Sequence, residues 1–430
     1  MNIAFIPIDN RPVCYTLPEQ ICAMNNNINL FMPERGMLGG LTKIADVDGI
    51  FDWFKNLRDI DAVVMCLDTI AYVGLIPSRR SNDTFEQIKK RVERFKNLLD
   101  GKKVYAFSSI MRISNNNINQ EEKEYWADYG KKIFEYSYNL DKFGSEPEND
   151  IPEEILKDYL ETRKRNFEIN KLYLDWNLDT LVFSKDDCAE YGLNVKEARE
   201  LEKLGGLTKT GADEIPLTLL ARAIKKDLKV APIFLAPEHK HLISNYEDVS
   251  IEKSVLGQLE LAGCEVCEPD DADILLYVNN FECHQGEIVM KVDTKPFSGD
   301  WFEPDKPYMI ADVRFANGAD NAFVEKLFET GFGENFCGYS AWNTSANSLG
   351  SLICGVKIKA DNNDAFKRLQ AVRLLDDWAY QANVRQAGTM DIKDLMKPFE
   401  DRVFAQLGIK YNVNYSFPWD RLFEVEVELS

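Results

Sequence analysis

Short apolar runs rich in β-branched and aromatic residues alternate along the whole chain with longer amphipathic runs. This alternation predicts βα units and a mainly parallel sheet, because parallel strands need crossover connections long enough to hold a helix. The predicted strands are 2–8, 28–32, 61–67, 103–109, 180–185, 230–236, 273–280, 308–315 and 336–342, with a short tenth candidate at 264–267. The predicted helices are 45–58, 83–99, 121–142, 152–175, 194–204, 213–227, 250–262, 320–330, 346–357 and 363–387.

Two α/β architectures agree with this pattern. In the first, which we favour, residues 1–430 form a single large domain, a (β/α)8-like barrel with extra strands. In the alternative, residues 1–205 and 206–430 form two Rossmann-like halves. A weak internal repeat favours the halves, because each contains a strand led by an Asp–Ala pair, at Asp61 and at Asp273. In both architectures, polar residues that follow the strands gather at one edge, where ligands bind.

Composition excludes several classes of partner. The chain carries 71 acidic and 51 basic residues, a net charge of −20, so phosphate backbones and anionic lipids are repelled. No apolar run is long enough to cross a membrane, and the first residues lack the basic segment of a signal peptide. Most of the nine cysteines lie in apolar runs, as buried thiols do in a reducing compartment. We therefore expect a cytoplasmic protein with no nucleic-acid or membrane partner; its oligomeric state stays open.

Polar residues cluster just after the predicted strands. Carboxylates, amides and an aromatic ring are what a sugar-like polyol needs, because they hydrogen-bond hydroxyls and offer a flat face for stacking. The same residues also fit turns and helix caps, so each motif has a purely structural interpretation as well. The residues concerned are Asp9, Asn10, Arg11, Asp68, Tyr72, Arg79, Arg112, Asp186, Asp187, Glu214, Asn280, Asp312, Asn317, Trp342 and Asn343.

Five motifs carry a family resemblance. They are Ile6 to Val13, Asp68 to Arg79, Asp186-Asp187 with Tyr191-Gly192, Gly211 to Glu214, and Trp342 to Gly350. Together they resemble the bacterial family called domain of unknown function 4127, over nearly the whole chain. Tyr72-Val73-Gly74 stands where a double glycine is expected. The resemblance implies that the motifs belong together, and it implies no activity.

A looser resemblance concerns the segment Leu181 to Asp187. It is similar to the strand ending in paired aspartates of barrel hexosaminidases that use substrate assistance. That resemblance implies that Asp186 orients an acetamido group and that Asp187 is the general acid. In those enzymes the pair follows the fourth barrel strand, whereas here it follows the fifth predicted strand. Adjacent carboxylates repel each other, which raises one pKa as a general acid near neutral pH requires.

Elimination points to carboxylate chemistry. The chain has no phosphate-binding loop, no dinucleotide fingerprint and no nucleophile elbow, and its three histidines leave serine or cysteine nucleophiles few partners. We therefore predict a hydrolase of a glycoside or related small polyol that needs no cofactor. Asp186 and Asp187 would be the acid and its partner, and the arginines Arg11, Arg79 and Arg112 would bind an anionic group.

Two other functions stay open. One is a non-catalytic sugar-binding or regulatory protein. The other is a metal-dependent lyase or isomerase using His239 and His241. A zinc site at Cys264, Cys267 and the Cys283-His284 pair is disfavoured, because residues three apart in a strand face opposite sides.

Overall fold

The structure is a computed structural model and describes residues 1–360 and 362–430. The strands are β1 Asn2–Ile6, β2 Asn29–Phe31, β3 Ala62–Cys66, β4 Lys103–Ile110, β5 Thr180–Lys185, β6 Leu207–Thr210, β7 Lys229–Phe234, β8 Glu265–Val266, β9 Ile274–Asn279, β10 Gly286–Glu287, β11 Tyr308–Asp312, β12 Phe315–Ala316, β13 Phe336–Ser340, β14 Val413–Ser416 and β15 Glu426–Leu429. A strand is present in every predicted strand segment.

The helices alternate with these strands over most of the chain. They are α1 Thr16–Cys22, α2 Val47–Asn56, α3 Leu67–Ala71, α4 Pro77–Arg80, α5 Phe85–Lys96, α6 Trp126–Phe143, α7 Glu153–Tyr173, α8 Leu193–Lys203, α9 Ile215–Ala223, α10 Ile251–Leu261, α11 Asn321–Thr330, α12 Ser345–Ile358, α13 Asn363–Arg373 and α14 Lys393–Leu407. A π-helical segment, Leu374–Val384, continues α13. Within the described chain, no helix is both long and apolar enough to span a membrane.

The chain folds into two compact units with open sheets. Unit 1 comprises residues 1–15, 28–219 and 246–248, and unit 2 comprises residues 16–27, 220–245 and 249–430. No barrel closes among the described strands, so the predicted (β/α)8-like barrel is not formed. The physical reason lies at the sheet edges, where short strands such as β2 and β8 end the hydrogen-bonded ladder instead of continuing it into a ring.

Unit 1 contains a six-stranded parallel sheet in the order β2-β1-β3-β4-β5-β6. The chain first adds β2 on one side of β1 and then adds the later strands on the other side. The gap between β1 and β3 is therefore a topological switch point, and ligands of such sheets bind outside the carboxyl ends of the strands. Every residue of β3 is buried, which explains its continuous apolar sequence.

The helices of unit 1 begin and pack as their sequences dictate. Thr84 and Gln87 form a reciprocal capping box that starts α5. The apolar face of α5 then packs on α2, where the Phe95 ring meets Phe51 at 5.0 Å and Phe54 at 5.1 Å. This packing covers one face of the sheet, because all three rings belong to the same buried cluster as the strands.

Unit 2 contains a five-stranded parallel sheet in the order β13-β11-β9-β7-β8. Read from β8 to β13, the strands stand in the order second, first, third, fourth and fifth along the chain, which is the order of β2-β1-β3-β4-β5 in unit 1. The two sheets also share a hydrogen bond at the start of the first strand. Asp61 accepts a hydrogen bond from the Asn2 backbone N–H at 2.7 Å, and Asp273 accepts one from the Lys229 backbone N–H at 2.8 Å. In each unit, the aspartate before the third strand thus caps the start of the first strand.

Candidate functional site

The carboxyl ends of the unit 1 strands bring charged side chains together. We call this set the carboxyl-edge cluster. It consists of Asp9, Arg11, Arg79, Arg112, Glu121, Glu122, Asp186, Asp187 and Asp213. The members come from the connections that follow β1, β3, β4, β5 and β6. Six of the nine were expected from the sequence; Glu121, Glu122 and Asp213 complete the set.

Arg11 joins the connections that follow β1 and β6. Its Nε donates to Asp9 Oδ2 at 2.8 Å, and its Nη1 and Nη2 donate to the two Asp213 oxygens at 3.0 and 2.6 Å. Burial raises the pKa of Asp213, and the Arg11 charge opposes that rise. Because the guanidinium is held between two carboxylates, Arg11 orders this end of the cluster.

In the loop before α9, the neighbouring carboxylates of Asp213 and Glu214 have different hydrogen-bond partners. Glu214 accepts a hydrogen bond from the Ala212 backbone N–H at 3.0 Å, inside its own loop. Gly211 has φ +109°, and a Cβ there would lie 1.8 Å from Glu214 Oε1, so only glycine fits. The structure therefore places Glu214 in the support of the loop, and Asp213 is the carboxylate that meets Arg11.

Arg112 connects the other carboxylates of the cluster. Its Nε lies 3.0 Å from Glu122 Oε1 and its Nη2 lies 2.9 Å from Glu121 Oε2. Its Nη1 lies 3.2 Å from Asp187 Oδ2 and 3.7 Å from Asp186 Oδ2. One guanidinium thus fixes the residues after β4 against those after β5.

Arg79 is the one cation of the cluster with a fully buried guanidinium nitrogen that has no hydrogen-bond partner among the described residues. Its side chain is 2% exposed, and its Nη1 donates to Glu122 Oε1 at 2.6 Å. Its Nη2 is buried and has no hydrogen-bond partner there. The Arg79 charge also lowers the pKa of Asp186, so the two groups are electrostatically coupled. Because an unsatisfied buried donor costs about 1–3 kcal/mol or more, Nη2 is suited to an oxygen of a ligand.

Asp186 differs from its neighbour Asp187 in its contacts. Its side chain is 25% exposed, and its only partner in the described chain is Arg112 at 3.7 Å, so it accepts no hydrogen bond there. Burial and the neighbouring charge of Asp187 raise its pKa to about 7, against the lowering effects of Arg112 and Arg79. At neutral pH, Asp186 therefore carries a proton for a substantial fraction of the time.

Asp187 is held more tightly. Its backbone has φ +43°, a left-handed conformation that costs a residue other than glycine free energy. Its Oδ2 accepts a hydrogen bond from Ser114 Oγ at 3.1 Å and faces Arg112 Nη1. Ser114 and Arg112 thus fix the position of the Asp187 side chain.

Asp68 lies beneath the edge, fully buried. It accepts hydrogen bonds from the Ser109 backbone N–H at 2.8 Å and from Ser108 Oγ at 3.1 Å. Burial raises its pKa to about 6. Ser108 Oγ also lies 2.7 Å from Asn170 Oδ1, and a hydroxyl has one proton for two acceptors. A proton on Asp68 resolves this conflict, so Asp68 supports the end of β4.

Two further expected residues also support the unit 1 edge. The backbone N–H of Asn10 donates to the Gly39 carbonyl at 3.1 Å, and its carbonyl accepts from Arg35 Nε at 2.9 Å. Tyr72 is buried, with Arg165 5.7 Å from the centre of its ring. Both residues stabilise the connections that carry the cluster.

The other five residues that the sequence predicted for the site lie in unit 2. Two of them, Asn280 and Asp312, are buried and make hydrogen bonds within the protein. Asn280 accepts from the Ala236 backbone N–H and donates to the Ala236 carbonyl, each at 2.9 Å. Asp312 accepts from Asn279 Nδ2 at 2.8 Å, from the Asp320 backbone N–H at 2.8 Å and from the Tyr339 hydroxyl at 3.0 Å. Burial raises its pKa to about 7. These bonds give both residues a structural role at the ends of β9 and β11.

Asn317, Trp342 and Asn343 lie nearby in the same unit. Asn317 has φ +59°, donates through Nδ2 to Glu287 Oε1 at 2.6 Å, and donates through its backbone to the Asn343 carbonyl at 3.0 Å. Trp342 is only 4% exposed. A ring that is buried this completely has no open face for a sugar, so the structure does not offer the expected stacking platform.

Unit 1 thus belongs to the class of open parallel α/β proteins with a charged site at the carboxyl edge. The family model described as "Protein of unknown function (DUF4127)" matches residues 3–394, and the chain belongs to that family. Neither the curated proteins nor the solved structures include a match to the chain. These comparisons do not show the looser similarity to hexosaminidases. Across residues 1–360 and 362–430, no group of three or more His, Cys, Asp and Glu side chains is arranged to hold a metal ion.

Proposed function

We propose that unit 1 is a hydrolase for a glycoside or related small polyol, with the carboxyl-edge cluster as its active site. The observation that carries this proposal is Asp186, an accessible carboxyl group whose pKa of about 7 suits a general acid at neutral pH. Its neighbour Asp187 is fixed by Ser114 and Arg112, as a carboxylate base should be. Two adjacent carboxyl groups in different environments are the usual basis of acid–base division.

In the proposed reaction, Asp186 gives its proton to the oxygen of the leaving group while the glycosidic C–O bond breaks. A water molecule forms the new C–O bond at the same carbon, and Asp187 takes the proton that this water loses. Asp186 then regains a proton from solvent and Asp187 releases one. The looser resemblance implied the opposite assignment, but the surroundings of the two groups favour Asp186 as the acid.

The charges of the cluster favour an uncharged substrate. Three guanidinium groups face six carboxyl groups, so the cluster stays net negative even with Asp186 protonated. Phosphate or carboxylate groups are repelled by such a field. The arginines that the sequence suggested for anion binding already pair with carboxylates. In this proposal, Arg79 Nη2 donates to a substrate hydroxyl, and a small neutral polyol in the cytoplasm is the substrate.

The test is a panel of 4-nitrophenyl glycosides of glucose, galactose, mannose and N-acetylglucosamine. We expect release by the wild type, unaffected by EDTA, and a loss of about 10²- to 10⁴-fold in Asp186→Asn. Asp100→Asn, at an exposed aspartate of the same unit, is the matched control and should keep full activity. Full activity in Asp186→Asn would contradict the proposal. Sugar binding without turnover would favour the non-catalytic binding protein, and loss with EDTA would favour the metal-dependent enzyme.

A further inference from the structure

The connection between β13 and α12 in unit 2 buries two polar atoms that have no partner in the described chain. The Nε1–H of Trp342 has no acceptor, and Oδ1 of Asn347 has no donor. The two residues are 4% and 5% exposed. A buried donor and a buried acceptor left unbonded both destabilise a fold, so this connection needs an explanation.

Both residues are anchored to the first turn of α12. The Trp342 backbone N–H donates to Ser348 Oγ at 3.1 Å, and the Asn347 backbone N–H donates to Thr344 Oγ1 at 3.3 Å. The turn follows the carboxyl end of β13 and opens a helix of 14 residues. Ligands of open parallel sheets bind at this position, close to the carboxyl ends of the strands and the amino ends of helices.

The other tryptophans show that Trp342 is unusual. Trp378 Nε1 donates to Asn321 Oδ1 at 2.8 Å. Trp126 and Trp301 also lack an acceptor, but their rings pack against tyrosines, Trp126 on Tyr159 and Trp301 on Tyr277. Over the described residues, the Trp342 ring has neither an acceptor nor an aromatic partner. Trp342 thus shares a buried, unbonded indole N–H with Trp126 and Trp301, and it differs from them in having no aromatic ring of the described residues packed against it.

We propose that the β13–α12 connection is a binding site for an uncharged polyhydroxyl ligand, whose hydroxyl groups accept from Trp342 Nε1 and donate to Asn347 Oδ1. A sugar hydroxyl both donates and accepts, whereas a carboxylate or the dianion of a phosphate monoester only accepts. The Asp377 carboxyl accepts from the Ala341 backbone N–H at 2.7 Å, and the nearby Arg373 already pairs with Asp377 and Asp376, so the charge of Arg373 is not free to hold an anion. The site is independent of the hydrolase proposed for unit 1.

The sequence already suggested Trp342 and Asn343 as substrate contacts. The structure changes the chemistry from stacking on a ring face to hydrogen bonding by the indole N–H, and it adds Asn347. The side-chain amide of Asn343 also makes no bond in the described part of the chain and is half-buried. It is therefore available as a further contact to a ligand hydroxyl.

Thermal unfolding separates this proposal from a structural role. Trp342→Phe removes the unbonded N–H and leaves a small cavity, and Asn347→Leu removes the unbonded oxygen, so we expect each to lower Tm by less than the loss of a bonded group would. The matched control is Trp378→Phe, which removes a satisfied indole N–H and should lower Tm. A loss of Tm in Trp342→Phe equal to that in the control would overturn the proposal, because it would show that the indole N–H is bonded within the protein.

Binding is measured by NMR on protein labelled with ¹⁵N in the tryptophan side chains, with Trp342→Phe assigning the resonance. Glucose and N-acetylglucosamine are the probes, and inorganic phosphate is the anionic control. We expect a saturable shift of the Trp342 indole N–H signal with at least one sugar and none with phosphate. Asn347→Leu should weaken the sugar affinity by about tenfold or more, a loss of about 1.4 kcal/mol.

Asp186→Asn should leave this affinity unchanged, so failure here is distinguishable from failure of the hydrolase proposal. A Trp342 signal that neither sugar moves in the wild type would overturn the inference. A shift with phosphate alone would overturn it as well.

Discussion

The carboxyl edges of the two sheets invite comparison, since the first five strands of unit 1 and the five of unit 2 follow the same order. Both edges carry aspartates whose pKa is raised to about 7, Asp186 in unit 1 and Asp312 and Asp377 in unit 2. The Asp186 carboxyl is partly exposed and accepts no hydrogen bond in the described chain, whereas the Asp312 carboxyl is buried and accepts three. A raised pKa therefore does not distinguish a reactive carboxyl from a structural one; access and unused hydrogen-bonding capacity do.

We expect the largest difference in stability between the two edges when an arginine of each is replaced by glutamine. Arg373 pairs with Asp376 at 2.9 Å and with the fully buried Asp377 at 3.0 Å. Arg373→Gln leaves these charges unpaired and should reduce the free energy of unfolding by about 3–5 kcal/mol. Arg79→Gln should cost clearly less, because Glu122 keeps Arg112 at 3.0 Å. Urea unfolding of both variants checks this, and equal losses would contradict the distinction between the two edges.

Arg79→Gln should instead affect catalysis. Removing a charged donor to substrate should lower kcat/KM by about 10- to 100-fold, equivalent to about 1.5–3 kcal/mol. The same change removes a positive charge that lowers the pKa of Asp186, so that pKa should rise. Because the acid form then persists to higher pH, the alkaline limb of the pH–rate profile should move upward. A limb that stays in place would show that Arg79 does not act on the titrating group.

Replacing Asp312 and Asp186 by asparagine should affect the free energy of unfolding differently. Asp312→Asn offers one acceptor oxygen to three donors, so the free energy of unfolding should fall by about 1–3 kcal/mol. Asp186→Asn breaks no hydrogen bond of the described chain and should leave stability unchanged or higher above pH 7. Thermal unfolding of the two variants at pH 8 makes the comparison. A marked loss in Asp186→Asn would mean that Asp186 is part of the structural framework.

Asp68→Asn should act only through the pH dependence of stability. The folded-state pKa of Asp68 is about 6, above its ordinary value of 3.8, so the folded protein binds this proton more tightly than the unfolded chain. Wild-type stability should therefore fall as pH rises from about 4 to 6 and then level off. Asparagine mimics the protonated form and lacks this loss, so the variant should match the wild type at low pH and exceed it above pH 6. Parallel stability curves for the two proteins would contradict the protonated state of Asp68.

Hydrophobic periodicity identified the strands well, because buried parallel strands are short apolar runs. It missed β6, whose sequence Leu-Thr-Lys-Thr is polar, and α14, which contains Pro398. Strand order was out of reach, since it depends on which strands pair at the edges rather than on local pattern, and the barrel prediction failed for this reason.

The sequence predicted six of the nine residues of the carboxyl-edge cluster, but it did not predict the contacts among them. Glu121 and Glu122 were assigned to a helix from 121, whereas α6 begins at Trp126 and leaves them in the preceding connection. Asp213 and Glu214 are adjacent carboxylates: Asp213 accepts from Arg11, and Glu214 accepts from the Ala212 backbone N–H in a loop that requires glycine at 211. The sequence does not show which partner each carboxylate takes, because the conformation of the loop determines it.

The most direct test of the central claim is the titration of Asp186 itself. NMR of protein labelled with ¹³C in the aspartate side chains follows each carboxyl carbon with pH, and Asp186→Asn assigns the signal. We expect the Asp186 carboxyl to titrate at about pH 7. Titration near the ordinary value of 3.8 would show a group that is ionised at neutral pH and has no proton to donate, and it would contradict the proposed acid.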